Sequence, residues 1–156
     1  MAARLVDGNT KVWWVTTLSS TTSPTAVQIN AGVSLEAFIT PDGLDVSPDQ
    51  NFVDVSTLAG LSEFQDFGRS KVDSSLTMKR DSTDTAWTTF ASQPSGYLVI
   101  RRGVSNATTG AASQKVEVYP VKASNRFPVK PASNEVEKFM VKFGLNADYQ
   151  SEATVA

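Results

Sequence analysis

The stretch from Arg69 to Lys142 constrains the fold most, because it sets one helix among strands. Ser70–Arg80 alternates with a period of two, placing Val72, Leu76 and Met78 on one side and Lys71, Asp73, Thr77 and Lys79 on the other. Asp81-Ser82-Thr83-Asp84 reads as a helix start, with small acceptor side chains and acids in the first turn. Ala86, Trp87, Phe90 and Ala91 follow at helical spacing, and Pro94-Ser95-Gly96 ends the segment. Tyr97–Arg102, Lys115–Val121 and Glu135–Phe143 then return to strand patterns. The pattern predicts a mainly β domain flanked by one α-helix of about three turns.

The rest of the chain adds short elements. Lys11–Thr17 carries Val12-Trp13-Trp14-Val15, a strand with apolar residues for both faces. Leu18–Thr25 is a polar loop ending near Pro24, and Ala26–Ile29 reads as a short strand. Val33–Ile39 fits either a strand or a helical turn. Thr40-Pro41-Asp42-Gly43 is a turn signal, since Pro presets φ and Gly permits the positive region. Asn51–Val55 and Glu63–Phe67 read as strands. Gly103–Ser113 is a small-residue loop, Pro120 implies an edge or strand end, and Pro128–Asn134 is a connector. The polar segments 1–10 and 146–156 read as arms, disordered in a lone subunit and ordered on assembly. No internal repeat or domain boundary divides residues 1–156, so a single domain is expected.

Composition removes whole classes of chemistry. The chain has no Cys and no His, which excludes disulfides, Cys/His zinc sites, thiol nucleophiles and imidazole bases. Neither a cofactor nor a metal is expected. A net charge of −2 gives no general attraction for nucleic acid. The longest apolar runs, Val12–Val15 and Tyr97–Ile100, are too short to span a membrane, so a protein made in the cytoplasm and used or assembled there is expected.

Charge is unevenly placed. From Val12 to Gly68 there are seven acids and no Lys or Arg, whereas Arg69–Lys142 carries twelve cations against six acids. Mixed on one surface these mean little; segregated, they suit a bipolar subunit that stacks head to tail. Asp42, Asp45, Asp49 and Asp54 are the expected acidic stacking side, with Arg101, Arg102, Lys122, Arg126 and Lys130 as opposing cations.

Other candidates have plainer readings. Glu135 and Glu137 share a strand face if the strand is regular, and a carboxylate pair could serve glycoside hydrolysis; a solvated face is the simpler reading. Asp42, Asp45 and Asp49 lack the spacing of a calcium loop and suit turn formation. Asn106-Ala107-Thr108 matches a glycosylation acceptor with no secretory signal before it. Trp13, Trp14 or Tyr97 could form a sugar platform in a monomeric carbohydrate-binding β-sandwich, or one Trp could lie in the core and its neighbour at an interface.

The pattern resembles the tail tube, or major tail, proteins of long non-contractile-tailed bacteriophages, those of actinobacteria-infecting phages in particular. The resemblance rests on Leu76-Thr-Met-Lys-Arg-Asp81 entering the helix with Trp87, on Gly96-Tyr-Leu-Val-Ile-Arg-Arg-Gly103, on Lys115-Val-Glu-Val-Tyr-Pro-Val121, and on Asn134-Glu-Val-Glu-Lys-Phe139. Pro41-Asp42-Gly43-Leu44 and the final Val155-Ala156 add to it. It implies a β-sandwich whose strands join a multi-subunit β-barrel lining a lumen. It also implies stacked hexameric rings in a virion tail, and double-stranded DNA passing through without specific binding. The implied partners are further copies of the chain and the tape-measure, tail-terminator and distal tail proteins. Related folds build contractile-tail and secretion-system tubes. A lumen that lets DNA slide should be polar and not basic, which points to Asp73, Ser75, Thr77, Glu135 and Glu137 as lumen-facing, although Lys71 and Lys79 share the first three residues' face.

Overall fold

The computed structural model describes residues 2–156. It contains β1 (Thr10–Val15), α1 (Ala26–Asn30), β2 (Val33–Ser34), β3 (Ile39–Asp54), β4 (Gln65–Lys79), α2 (Thr85–Thr89), β5 (Ser95–Arg102), β6 (Lys115–Pro128), β7 (Lys138–Leu145) and β8 (Gln150–Thr154). The strands form one eight-stranded antiparallel sheet in the order β2-β1-β5-β6-β7-β4-β3, with β8 paired to β6. The mainly β expectation holds.

The sheet curls over on itself. Val12 and Trp14 of β1 share one core with Val72, Leu76 and Met78 of β4, although three strands separate β1 from β4 in the sheet order. Trp14 packs against Phe143 of β7 and edge-on against Phe90 after α2, with ring centroids 5.7 and 5.1 Å apart. On the reverse side, Trp13, Val15, Val99, Val116 and Val118 form a second core, closed by Ile29 of α1 and by Ala153 and Val155. Strand β5 is therefore buried on both faces, which explains its continuous Tyr-Leu-Val-Ile run. Gly96 belongs to this packing: a Cβ there would lie 2.8 Å from the Val15 carbonyl and 2.9 Å from the Trp14 ring.

Several elements differ from their sequence patterns, each for a local reason. The helix expected to span three turns is only Thr85–Thr89. Asp84 sits at its start in the left-handed region (φ 51°), and its carboxylate is engaged by Arg80 at 2.7 and 3.0 Å instead of capping the helix. Ser92 and Gln93, both at positive φ, end the segment. Ala26–Ile29 is helical, not extended, because the Thr25 hydroxyl accepts from the Gln28 amide at 3.3 Å and caps the turn that buries Ile29. Thr40–Gly43 is a bulge inside β3, not a chain reversal: Ile39 pairs with Met78 and Leu44 with Leu76, so four residues loop out of register. Gly43 is required there by space, since a side chain would strike the Thr40 hydroxyl and the Thr77 carbonyl. The two strands read at Glu63–Phe67 and Ser70–Arg80 are one, β4, with a register slip near Gly68.

Pro120 lies inside β6, not at its edge or end. It pairs with Tyr97 of β5; on the opposite side it sits where β6 changes partner from β8 to β7, so its missing N–H breaks no ladder. Residues 146–156 are not a loose arm. Strand β8 covers Val116 and Val118, and Val155 is pinned by hydrogen bonds from the Ser113 amide and to the Gln114 carbonyl at 2.8 and 2.9 Å.

Candidate assembly surfaces

Strands β6, β7, β4 and β3 form a four-stranded sheet segment whose inner face is the core and whose outer face is open. Alternation along β4 points Lys71, Asp73, Ser75, Thr77 and Lys79 outward. Register brings Asp45 opposite Ser75, Ser47 opposite Asp73 and Asp49 opposite Lys71, while Lys142 of β7 flanks Ser75 on the other side. Lys122 of β6, opposite Gly144, completes the row. The face alternates in sign: Lys71 reaches Asp73 at 3.7 Å, and the Ser47 hydroxyl donates to Asp45 at 2.9 Å.

This arrangement regroups the residues singled out in the sequence. Asp45 and Asp49 stand with Asp73, Ser75 and Thr77, not on a separate acidic end. Glu135 and Glu137 do not join them, because β7 begins only at Lys138. Glu135 pairs with Lys138 at 3.3 Å and Glu137 with Arg80 at 3.2 Å, so they do not form a carboxylate pair either. Asp42 is exposed in the β3 bulge. Asp54 ends β3, where its hydrogen bonds from Ser56 hold its carboxyl below the usual range.

The cations divide further. Arg101 is fully buried and cannot be a stacking charge. Its Nη1 donates to the Thr109 carbonyl and Gln114 Oε1 at 3.1 and 3.0 Å; its Nη2 donates to the Ser105 and Thr108 carbonyls at 2.9 and 2.6 Å. It folds the 103–113 loop over the second core and lies above the Trp13 ring. Arg102 is ion-paired with Glu117. Arg126 and Arg80 stack on the indole of Trp87, their guanidinium carbons 4.0 and 4.3 Å from its ring centre, and Arg126 also donates to the Trp87 carbonyl at 3.0 Å. Among the described residues Lys130 has no ion-pair or side-chain hydrogen-bond partner. Trp13 and Trp14 are both buried, on opposite sides of β1, and Tyr97 packs against the second core. Trp13 and Trp14 therefore offer no surface platform to a sugar, and Tyr97 is only partly exposed.

Among the described residues, two edges of the four-stranded segment lack partners. β3 pairs only with β4 along its length, and beyond Ala123 the last residues of β6 pair only with β7. Such edges present unpaired N–H and C=O groups to any incoming strand. Sequence reading missed a further surface, the far end of the β3–β4 hairpin, where Phe52, Val53, Val55, Leu58, Leu61, Phe64 and Phe67 are all exposed. The signal was present: Leu58, Leu61, Phe64 and Phe67 recur every third residue in a segment with no cation and no helix.

No curated protein sequence matches the chain. Among solved structures, it is similar to a chain in the six-fold symmetrised cryo-EM structure of the anti-feeding prophage baseplate, with a TM-score of 0.61 at 11% identity. That match covers 99% of this chain and 97% of the other, and it shows a shared fold. A family model described as phage tail tube protein matches residues 1–156. The chain thus belongs to a phage tail tube protein family, whose members are structural components of the virion tail.

Proposed function

We propose that this protein is the repeating subunit of a phage tail tube, six copies closing each ring around a lumen and rings stacking into the conduit for double-stranded DNA. The observation that carries this reading is the pair of unpaired edges, β3 and the end of β6, on one four-stranded segment with a polar outer face. Pairing the β3 edge of one copy with the β6 edge of the next satisfies both and closes a barrel that no single chain can close. Six-fold symmetry in the similar baseplate structure supports the ring number. The outer face, with Asp45, Asp49 and Asp73 interleaved among Lys71, Lys79, Lys122 and Lys142, would line the lumen. Lys71 is ion-paired with Asp73, and the carboxylates interleaved with the other lysines lower the face's net attraction for DNA phosphates, so a duplex slides past. The role is structural, with no catalysis. The partners are further copies, the tape-measure protein inside and the terminator and distal proteins at the two ends. The tail is of the long, non-contractile kind, as in actinobacteria-infecting phages, and its tube assembles in the host cytoplasm.

Negative-stain electron microscopy over a concentration series tests this. Rings or uniform hollow tubes are expected. A monomer at every concentration, including with tail-tip seeds added, overturns it. Changing Asp45, Asp49 and Asp73 together to Lys should leave tubes intact and slow DNA ejection; normal ejection refutes the lumen assignment. A second reading, a tube of a contractile or secretion apparatus, is favoured by the likeness to a baseplate chain. A sheath around the tube in virion images would establish it.

A further inference from the structure

We propose that Asp7-Gly8 is a site of spontaneous isoaspartate formation in the folded subunit, and that the fold shields the identical dipeptide Asp42-Gly43 from the same reaction. The inference is independent of the tube reading above.

The sequence holds two Asp-Gly pairs and no Asn-Gly. An aspartate before glycine is the least hindered case, because glycine has no Cβ and its backbone turns freely. The glycine amide nitrogen attacks the aspartate Cγ. The N–Cγ bond forms as the Cγ–OH bond breaks, and the amide proton leaves with that hydroxyl as water. A second water then opens the five-membered ring at its main-chain carbonyl, so the chain runs on through the aspartate side chain. One water leaves and one returns, and no oxidant, reductant or enzyme is needed. The step does need rotation about the aspartate ψ, which swings the next amide nitrogen onto the carboxyl carbon.

At residues 7 and 8 that rotation is open. Both are exposed, in a turn closed by the Asn9 amide on the Val6 carbonyl at 3.0 Å. Such a turn leaves the amide of its third residue, Gly8, outside its own hydrogen bond. That amide has no acceptor among the described residues. Gly8 sits at φ 72° with no atom within 4 Å of the place a Cβ would take. At residues 42 and 43 the rotation is blocked. Asp42 is exposed in the β3 bulge, but Gly43 is buried, and the space beside its Cα is filled by the Thr40 hydroxyl and the Thr77 carbonyl. The bulge is held between the pairs Ile39–Met78 and Leu44–Leu76, so Gly43 turns only when that part of the β3–β4 ladder opens.

The product acts on the N-terminal arm. The Gly8 and Asn9 carbonyls accept from the Asn106 and Gly103 amides at 2.9 and 2.8 Å, which fixes the chain after the modified bond. The methylene gained by the backbone therefore displaces the other side, residues 2–7, where Arg4 Nη2 donates to the Arg102 carbonyl at 2.9 Å. Modification at Asp7 frees the arm from the end of β5.

The test ages the folded full chain and the same chain in urea, side by side in warm neutral buffer. Isoaspartate is counted by labelling with protein isoaspartyl methyltransferase and placed by electron-transfer fragmentation of the peptides. In urea the two sites should react at similar rates. In the folded protein Asp7 should react roughly tenfold or more faster than Asp42, the ratio being set by the local opening that Asp42 requires. Equal yields at the two sites in folded protein, or isoaspartate at Asp7 in urea only, overturn the proposal. A second readout follows the arm. Trypsin should cut after Arg4 faster in aged protein than in fresh protein. Aged Asp7→Glu, which cannot close a five-membered ring, should match the fresh protein. Cleavage that ageing leaves unchanged, or speeds equally in Asp7→Glu, refutes release of the arm.

Discussion

Arg101 gives the sharpest test of how this structure is held. Its sequence neighbour Arg102 is half exposed and ion-paired, but Arg101 points the other way into the second core, where it gathers three loop carbonyls and Gln114 Oε1. Hydrogen bonds from a charged donor contribute ~1.5–3 kcal/mol each, and removing one member of a buried charged network costs ~3–5 kcal/mol. Water can reach some of the freed carbonyls at the loop rim, so we expect Arg101→Ala to lose ~4 kcal/mol. Arg101→Lys keeps the charge but replaces a planar five-donor fork by one ammonium that can meet about half the acceptors, for a loss of ~2 kcal/mol. For a chain of this size each kcal/mol lowers Tm by about 2–4 °C. Urea unfolding followed by tryptophan emission is the assay, since Trp13 lies under the guanidinium at 5.2 Å. Arg102→Ala is the control and should cost less than ~1 kcal/mol, as an exposed ion pair does. Arg101→Lys within ~0.5 kcal/mol of the parent would refute the reasoning and return Arg101 to the role of a surface charge.

Other outcomes follow from the same packing. Gly96→Ala should destabilise by ~1–3 kcal/mol in thermal melts, because the new methyl meets a backbone carbonyl and the Trp14 ring with little room to shift. Deleting residues 150–156 should unfold or aggregate the subunit, since it strips the cover from Val116 and Val118 and removes buried Ala153 and Val155; an intact, soluble monomer would restore the loose-arm reading. Tyr119 is buried and its hydroxyl donates to Glu117 at 2.7 Å, and burial first, then this bond, pushes its pKa up. A raised folded-state pKa stabilises below the unfolded value of about 10 and the contribution is lost as pH climbs above it. Stability should therefore fall above about pH 10, and Tyr119→Phe should flatten that decline in denaturation curves.

Buried faces were legible in the order of the residues. The alternation of Val72, Leu76 and Met78, the doubly covered Val12–Val15 strand and the apolar Tyr97–Ile100 run are all core in the structure, because burial of a pleated strand imposes a period of two on one chain segment. Other features depend on partners far along the chain and emerge only on folding. Strand β3 is sixteen residues long despite Pro41, Gly43 and Pro48, because an edge strand needs a neighbour on one side only and tolerates proline and bulges there. The helix after β4 is short because Arg80 takes the carboxylate that would have capped it, and Glu137 reaches the same arginine from the β6–β7 loop. Arg101 and Arg102 are identical in type and adjacent, yet one is fully buried and the other half exposed, since the loop that receives Arg101 closes only after β5 and β6 pair. Residues 146–156 look polar in isolation, but two apolar side chains and a free β6 edge are enough to fix them. Period is a local property of a strand, whereas edges, registers and the ends of a sheet exist only once distant segments have met.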